Sequence, residues 1–259
     1  MELCVLASGS KGNALYVSGG GTSLLIDAGL SSRELVKRLL TVGIAPESLN
    51  AVLVTHDHVD HYRGLGVFSR KYPVQLYANE GTATGVEREV HPMGSAWQIF
   101  ETASTFEVGG LRIEAFSVTH DAADPVGFVL DDGSMRLCVA TDLGQATPLV
   151  KVKLAECDVA VLESNHDHDM LMASNRPWSL KTRIAGRSGH LSNEDAADLV
   201  ESALTKRLQA LFLAHLSDAC NTQTLAYNTM RGVLRSAGRE DIRLEVSSQD
   251  RAGERFVFG

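Results

Sequence analysis

The sequence lacks an apolar run of the roughly 20 residues that a membrane-spanning helix needs. It begins directly with a strand-like pattern, Met1-Glu2-Leu3-Cys4, without the basic region that opens a secretory signal peptide. Its 259 residues are enough for one large α/β domain with a sizeable core. We therefore expect a single α/β domain over residues 1–259, a cytoplasmic location by default, and no membrane partner.

Cysteine pairs and excess positive charge are also missing. None of the four cysteines belongs to a Cys-x-x-Cys motif, and three lie in or beside apolar runs, so we expect buried thiols in a reducing compartment rather than disulfides. They are Cys4, Cys138, Cys157 and Cys220. The net charge of −8 argues against a protein coated in basic charge for duplex DNA, but it leaves a local basic groove open.

The most informative feature that is present is the dense polar motif Thr55-His56-Asp57-His58-Val59-Asp60-His61. It follows the apolar run 51–54, which predicts a buried strand. A strand does not need three imidazoles and two carboxylates, but a metal ion does, because neutral imidazole is a common zinc ligand and carboxylate compensates charge. A polar surface loop is the alternative, and the position directly behind a buried strand argues against it.

Alternating and helical patterns continue along the whole chain. Strands are predicted over 2–8, 15–18, 23–27, 51–54, 74–78, 126–130, 135–140, 159–162, 210–214 and 242–246, with paired strands between 99 and 118. Helices are predicted over 31–40, 63–71, 80–88, 147–155, 193–204 and 222–236. Early paired strands followed by mixed strands and helices fit two sheets packed face to face with helices outside.

Three further candidate ligands each follow an apolar run. His120 comes after 116–119, Asp142 after 137–141, and His215 after 211–214. Each residue alone is a weak candidate, but strand ends at one edge of a sandwich can converge on one point. Together with the first motif they predict one site with more ligands than a single ion needs.

The pattern resembles the signature of the metallo-β-lactamase superfamily, which implies an αββα four-layer sandwich of the α/β class. The resemblance also implies two divalent metal ions, and zinc and manganese both suit the mixed ligands. It implies that His56, His58 and His120 hold one ion, that Asp60, His61 and His215 hold the second, and that Asp142 bridges them. Asp27, in Leu25-Ile26-Asp27-Ala28-Gly29, matches an aspartate that supports the first motif from outside the ligand set.

Two ions about 3.5–4 Å apart can share a hydroxide nucleophile, which suits a phosphodiester. The first motif alone does not choose between thioester, lactam and phosphodiester. The segment Arg187-Ser188-Gly189-His190 resembles nuclease branches of the superfamily, in which His190 would protonate the leaving alkoxide and Glu163 would orient His190. Catalytic roles then fall to His190, Glu163 and Asp60. The alternative for His190 is a position before a capped helix, without a catalytic role.

Two segments are candidates for substrate contacts. The turn Ser8-Gly9-Ser10-Lys11-Gly12-Asn13 offers Ser10, Lys11 and Asn13 as donors that could cradle a phosphate; a brace for the metal loop and a plain tight turn are the alternatives. A basic set suits a single-stranded backbone, with Trp178 available to stack on a base, although a solvated surface explains it equally well. The basic set consists of Arg176, Lys181, Arg183 and Arg187.

The five motifs Ser-Gly-Ser-Lys-Gly-Asn, Asp-Ala-Gly-Leu-Ser, Thr-His-Asp-His-Val-Asp-His, Glu-Ser-Asn-His-Asp and Gly-His-Leu-Ser-Asn look like those of the YycJ/WalJ family. That resemblance implies a 5′-to-3′ exonuclease on DNA, with single-stranded or end-processed DNA as its partner. Only about seventy residues separate Asp142 from His215, too few for the inserted clasp domain of larger nuclease relatives. The substrate could therefore still be RNA or a shorter molecule.

Three other functions compete with the nuclease. A hydrolase of small cyclic phosphodiesters or nucleotides would use the same metal chemistry without a polymer groove. A glyoxalase-type thioester hydrolase would not need the Ser-Gly-His segment, which counts against it. A non-catalytic regulator on this fold would be expected to have damaged ligand positions, and none is damaged here.

Overall fold

The computed structural model describes residues 1–90 and 93–259, which form two seven-stranded sheets with helices on their outer faces. The first sheet has the strand order β14-β1-β2-β3-β4-β5-β6. Its strands are β1 (Glu2–Ala7), β2 (Ala14–Gly19), β3 (Thr22–Ile26), β4 (Ala51–Leu53), β5 (Gln75–Ala78), β6 (Trp97–Ile99) and β14 (Phe256–Val257). The strands β14, β1, β2 and β3 pair antiparallel, whereas β3, β4, β5 and β6 pair parallel.

The second sheet repeats this plan with the order β13-β12-β11-β10-β9-β8-β7. Its strands are β7 (Thr105–Val108), β8 (Leu111–Ser117), β9 (Val126–Asp131), β10 (Arg136–Ala140), β11 (Val159–Glu163), β12 (Ala210–Ala214) and β13 (Arg243–Val246). The strands β7 to β10 pair antiparallel, and β10 to β13 pair parallel. In both sheets the parallel strands therefore have their carboxyl ends at the same edge of the sheet.

The helices occupy the connections. They are α1 (Ser32–Thr41), α2 (Val59–Tyr62), α3 (Leu65–Lys71), α4 (Glu80–Glu89), α5 (Pro148–Ala155), α6 (His168–Ala173), α7 (Trp178–Ile184), α8 (Asn193–Ala203) and α9 (Gln223–Ser236). A 3₁₀ turn spans Pro46–Ser48. No helix within 1–90 and 93–259 is both long and apolar enough to cross a membrane.

Three apolar clusters hold the layers together. Because side chains alternate along a strand, Leu24 and Ile26 of β3 point into the cluster between the sheets, while Leu25 points to the cluster under α1, α3 and α4. On the other sheet, Leu137 of β10 lies between the sheets and Cys138 lies under α5, α8 and α9. The arrangement confirms the predicted α/β class and its four layers.

The largest difference from the predicted elements lies around the metal motif. The predicted helix 63–71 corresponds to α3, which begins at Leu65, and the short helix α2, which contains Asp60 and His61, was not predicted. Two helices therefore lie between 59 and 71, where one was expected. They separate at Gly64, whose N–H donates to the carbonyl oxygen of Ala28 at 2.9 Å. Gly64 also packs so closely on Leu30 that a Cβ would lie 2.2 Å from the Leu30 carbonyl oxygen.

Other differences concern short elements. The sequence did not predict β6, α6, α7 or β14, and Ile99, expected to begin the paired strands, belongs to β6 in the opposite sheet. All four cysteines are free and buried, as predicted. Burial raises the pKa of the Cys4 thiol to about 12, so this thiol is protonated at neutral pH.

Candidate metal centre

Seven ligand-type side chains meet where strands of both sheets end. The loop after β4 and the start of α2 supply four of them, and the residues after β8, β10 and β12 supply the rest. Their ligand atoms form overlapping groups in which the atoms lie within 4.8 Å of one another. The seven are His56, His58, Asp60, His61, His120, Asp142 and His215, the set implied by the superfamily resemblance.

One group consists of His56, His58 and His120. In each of these three histidines, the ring nitrogen that faces away from the group has a hydrogen-bond partner. His58 Nε2 donates to the carbonyl oxygen of Asp121 at 3.1 Å, and His120 Nδ1 donates to that of Gly189 at 3.1 Å. His56 Nδ1 lies 3.0 Å from the hydroxyl of Thr55. These contacts leave His56 Nε2, His58 Nδ1 and His120 Nε2 as the ligand atoms.

A second group consists of Asp60, His61 and His215. His61 Nδ1 donates to Asp27 Oδ2 at 2.7 Å, while Asp27 also accepts from the main-chain N–H of Thr55 at 2.9 Å. Asp27 therefore fixes the His61 ring and anchors the loop of the first motif, the position that the resemblance implied. His215 Nδ1 lies 2.8 Å from Glu163 Oε1, which leaves its Nε2 to face the group.

Asp142 lies between the two groups. Its Oδ1 is 3.6 Å from His120 Nε2 and its Oδ2 is 3.3 Å from His61 Nε2. Three buried polar atoms here have no hydrogen-bond partner: His56 Nε2, Asp142 Oδ2 and His215 Nε2. Buried polar atoms without partners are costly. Divalent cations would satisfy all three, so the residues present fit a metal centre with a bridging carboxylate.

The backbone at this edge is unusual. In the described part of the chain four residues other than glycine have positive φ, and three of them hold or support the site: Asp27 (64°), Asp142 (57°) and His215 (58°). Such conformations cost free energy and persist where surrounding contacts impose them. At His215 one such contact is its main-chain N–H, which donates to the hydroxyl of Ser8 at 2.7 Å.

The histidines and carboxylates of the site already shift one another's pKa values without a bound cation. Burial lowers the pKa of His61, but the carboxylates of Asp27 and Asp142 outweigh it and raise the pKa to about 9. Burial raises the pKa of Asp60, but His215 and His61 lower it below its usual range. Since a metal binds neutral imidazole, metal binding at His61 would release its proton.

Glu163 and His190 form a pair beside the metal ligands. Glu163 is fully buried, and its Oε2 accepts from the main-chain N–H groups of Leu143 at 2.6 Å and Leu191 at 3.2 Å. Its Oε1 lies 2.8 Å from His190 Nδ1 and also 2.8 Å from His215 Nδ1. Glu163 lies close enough to Asp142 and His215 to share a metal ion with them. Its four contacts instead engage both of its oxygens and orient two histidines.

The His190 ring faces a cavity of about 270 Å³. Burial lowers the pKa of His190, but Glu163 outweighs it and raises the pKa, so the ring is suited to carry a proton. Gly189, whose carbonyl oxygen holds His120, approaches Ile184 so closely that a Cβ would lie 2.1 Å from the Ile184 carbonyl oxygen. A single tight turn thus positions one candidate metal ligand, His120, and the candidate proton donor, His190.

The three substrate contacts predicted in the turn at residues 8–13 lie in different environments. Ser10 lines the cavity. Lys11 is ion-paired with Asp218 at 2.5 Å. Asn13 is buried, its Oδ1 accepts from the N–H of Gly9 at 2.8 Å, and its Nδ2 donates to His61 Nε2 at 3.0 Å. The structure thus places Asn13 as a brace for the metal loop, the alternative considered above, and not at the substrate surface.

The predicted basic set is also divided. Arg176 and Arg183 line the cavity. Lys181 does not line the cavity: its ammonium group donates to the carbonyl oxygen of Met172, which ties α7 to α6. Arg187 is exposed and is not among the residues that line the cavity. Trp178 is 71% exposed at the start of α7 and does not line the cavity either.

Sequence reasoning missed three polar residues of the cavity, Asp121, Asn165 and Ser217. Asp121 directly follows the candidate ligand His120, which was the available signal, and its Oδ2 accepts a hydrogen bond from Arg183 Nε at 2.6 Å and forms an ion pair with Arg183 Nη2 at 2.6 Å. Asn165 donates through Nδ2 to the carbonyl oxygen of His215 at 2.7 Å and lies in the quoted Glu-Ser-Asn segment. The apolar wall formed by Leu180 and Ile184 had no signal, because α7 itself was not predicted.

Comparisons with known proteins agree with this geometry. The model of the beta-lactamase superfamily domain matches residues 22–212. The exodeoxyribonuclease WalJ of Streptococcus pneumoniae (serotype 2, strain D39) is 39% identical over 239 residues, which cover 90% of this chain and 88% of the relative. The exodeoxyribonuclease YycJ of Bacillus anthracis is 36% identical over 239 residues, covering 92% of this chain and 90% of the relative.

Solved structures share the fold. The metallo-beta-lactamase fold protein YhfI from Bacillus subtilis superposes with a TM-score of 0.72 at 15% identity, covering 97% of this chain and 98% of its own. Zn²⁺-bound PqqB from Methylobacterium extorquens gives 0.70 at 20% identity, covering 100% of both chains. Because the superfamily model spans most of the chain and both curated relatives cover about nine tenths of it, the chain belongs to the metallo-β-lactamase superfamily and, within it, to the YycJ/WalJ family.

Proposed function

We propose that this protein is a metal-dependent phosphodiester hydrolase that acts as a 5′-to-3′ exonuclease on DNA. The observation that carries the proposal is the position of the Glu163–His190 pair, which faces the same cavity as the seven ligand-type residues. Such a pair suits a reaction whose leaving group is a poor, strongly basic alkoxide. The names of the relatives WalJ and YycJ, both exodeoxyribonucleases, support DNA as the substrate.

We propose two divalent ions, zinc or manganese, held by the two histidine groups with Asp142 between them. Their ligand set is nitrogen and oxygen only, which suits either ion. When bound, two such ions supply Lewis acidity to phosphoryl oxygens and activate water near neutral pH. Asp60 and Asp142 supply the negative charge that holds the cations, and Asp27 and Glu163 keep His61 and His215 in the tautomers that can bind them.

Side chains of the protein carry out the proton transfer to the leaving group. His190, held through Nδ1 by Glu163, presents its other ring nitrogen to the cavity and donates a proton to the leaving oxygen. Leu180 and Ile184 of α7 contribute apolar surface to the lining of the same cavity. Glu163 stays ionised throughout, because His190 and His215 hold its pKa below its usual range even though burial alone raises it.

We propose that a single strand enters past Arg176 and Ser10. In the described part of the chain Arg176 has no hydrogen-bond or ion-pair partner, and its half-buried guanidinium lines the cavity. A free cation at a cavity wall attracts a phosphate. We also propose that one domain over 1–259 does this without a clasp, since residues 141–209 form only compact α/β elements, and that it acts in the cytoplasm, which the four free thiols suit.

A small cyclic phosphodiester is the second candidate substrate, because the cavity of about 270 Å³ is small even for a pocket that takes a single small ligand. The test is to compare digestion of an end-labelled single DNA strand with hydrolysis of a cyclic nucleotide by the metal-loaded protein. The proposal requires release of nucleotides from the 5′ end at a higher kcat/KM. Turnover of the cyclic nucleotide alone would replace the nuclease with the small-substrate hydrolase.

Removing the free cation should weaken strand binding in a salt-dependent way. We expect Arg176→Ala to raise the Kd for a DNA strand and to make the slope of log K against log salt shallower by about 0.7, the contribution of one phosphate contact on a single strand. Arg235→Ala is the matched control, since Arg235 is an exposed arginine on α9 that is paired with Glu240. Equal slopes for both variants would place Arg176 outside the strand path.

A further inference from the structure

Two guanidinium groups line the cavity, and they differ in their partners. Arg176 is unpaired among the described residues, whereas Arg183 is held by Asp121. Arg183 Nε and Nη2 both lie 2.6 Å from the same carboxylate oxygen, Asp121 Oδ2. One cation of the cavity is therefore available to a ligand at once, and the other is already engaged by an internal anion.

Asp121 joins Arg183 to the metal ligands. Its second carboxylate oxygen, Oδ1, lies 3.5 Å from His120 Nε2, one of the atoms that face the metal position. Its carbonyl oxygen accepts from His58 Nε2 at 3.1 Å. The Asp121 backbone is thereby held by the site, and its side chain keeps Arg183 at the wall of the cavity that His120 and Asp142 also line.

The pair is exposed enough to exchange partners. The Arg183 side chain is 63% exposed and that of Asp121 is 30% exposed. Ion pairs in water contribute little, typically less than about 1 kcal/mol, so a phosphate of similar geometry can take the guanidinium at small cost. Arginine binds carboxylate and phosphate through the same planar set of donors, which makes the two anions direct competitors.

We propose that Asp121 is a specificity-determining residue that competes with the substrate for Arg183, an inference that rests on the proposed nuclease function. In the free protein Asp121 holds Arg183. When a strand binds, the phosphate next to the scissile one displaces Asp121 and takes the guanidinium. A phosphodiester with a single phosphate has no group to displace Asp121, so the exchange favours polymers over small phosphodiesters.

A double-mutant cycle tests the exchange on the metal-loaded full chain. The probe is a single-stranded DNA oligonucleotide with phosphorothioate linkages, which slow cleavage and keep the charge. We expect Asp121→Asn to lower the Kd about two- to fivefold, the scale of one exposed ion pair, and to steepen the salt slope. Arg183→Ala should raise the Kd. In the Arg183→Ala background, Asp121→Asn should have no further effect.

Glu240→Gln is the matched control, because it removes one carboxylate that pairs with an exposed arginine, Arg235, on α9. It corrects for the loss of one negative charge from a chain of net charge −8. An Asp121→Asn gain no larger than this control, or one that persists without Arg183, would overturn the proposal, since Asp121 would then act only by general repulsion. Loss of bound metal in Asp121→Asn would also overturn it, because Asp121 would then support the metal site.

These outcomes leave the nuclease function standing, because the wild-type protein still cleaves a DNA strand in each of them. A wild-type protein that binds and cleaves no DNA overturns the nuclease function and the exchange together. The two failures are therefore distinguishable by the wild-type digestion alone.

Discussion

His190→Ala should lower turnover on a DNA strand by about 10²–10⁴-fold, the usual scale for one positioned proton donor, while both metal ions stay bound. His190 lies close to Asp142 and His215, but each of the seven predicted ligands also belongs to a group without His190, and His190 Nδ1 is held by Glu163, so the metal content should not change. The measurement is metal analysis of the purified variant together with single-turnover digestion of a labelled strand.

Comparing the effect of His190→Ala on two substrates shows whether His190 donates a proton to the leaving group. An activated aryl phosphodiester has a good leaving group that needs little protonation, so His190→Ala should slow it far less than the DNA strand. His168→Ala is the matched control, since His168 is an exposed histidine on α6 and does not line the cavity. Equal loss on both substrates would show that His190 does not donate a proton, and loss of metal would make it a ligand.

Glu163→Gln should act in the same direction as His190→Ala and more weakly. The structure adds a condition, because Glu163 also lies 2.8 Å from Nδ1 of the ligand His215. Partners that orient a metal ligand typically contribute 10–100-fold in metal affinity. The variant must therefore be assayed at saturating metal, where only its effect on His190 remains.

Asp142→Ala should abolish hydrolysis and lower the occupancy of both metal positions. Asp142 is the residue that approaches both groups, with Oδ1 3.6 Å from His120 Nε2 and Oδ2 3.3 Å from His61 Nε2. Removing the carboxylate takes away a ligand and a negative charge that would offset the mutual repulsion of two cations held by neutral imidazoles. The measurement is metal per chain after dialysis, with digestion of the same samples.

The backbone at Asp142 requires a second variant. Its φ of 57° is unfavourable for alanine but readily adopted by asparagine, so Asp142→Asn separates the loss of the ligand charge from backbone strain. We expect Asp142→Asn to fold with wild-type stability and still to lose metal and activity. Wild-type metal content with full activity in Asp142→Asn would remove this residue from the bridge.

The sequence predicted most of the fold because its strands are apolar runs with clear ends. The run 210–214 corresponds to β12 without change, and the Thr22–Ile26 strand and its glycine turn follow from alternation and turn composition. The helices α6 and α7 were missed because six or seven residues are too few for a helical period to show. The strand β14 has two residues and depends entirely on its partner β1.

The candidate site divides in the same way. Residue type and position at strand ends indicated His120, Asp142 and His215, but their assignment to two groups came from the superfamily resemblance. Side-chain direction was beyond the sequence: the ammonium of Lys181 turns into a helix end, and the amide of Asn13 turns toward His61. His61 lies 48 residues along the chain from Asn13, and Met172, nine residues before Lys181, lies in the unpredicted helix α6, so no local pattern indicated either contact.

The most direct test of the two-metal account is to restore metal to chelated protein stepwise and to follow digestion of a labelled DNA strand. The account predicts no digestion by the metal-free chain and little at one equivalent, with full activity as the second equivalent binds. The seven ligand-type atoms around Asp142 are the basis of that expectation. Full activity at one equivalent, or digestion by the metal-free chain at the same rate, would contradict it.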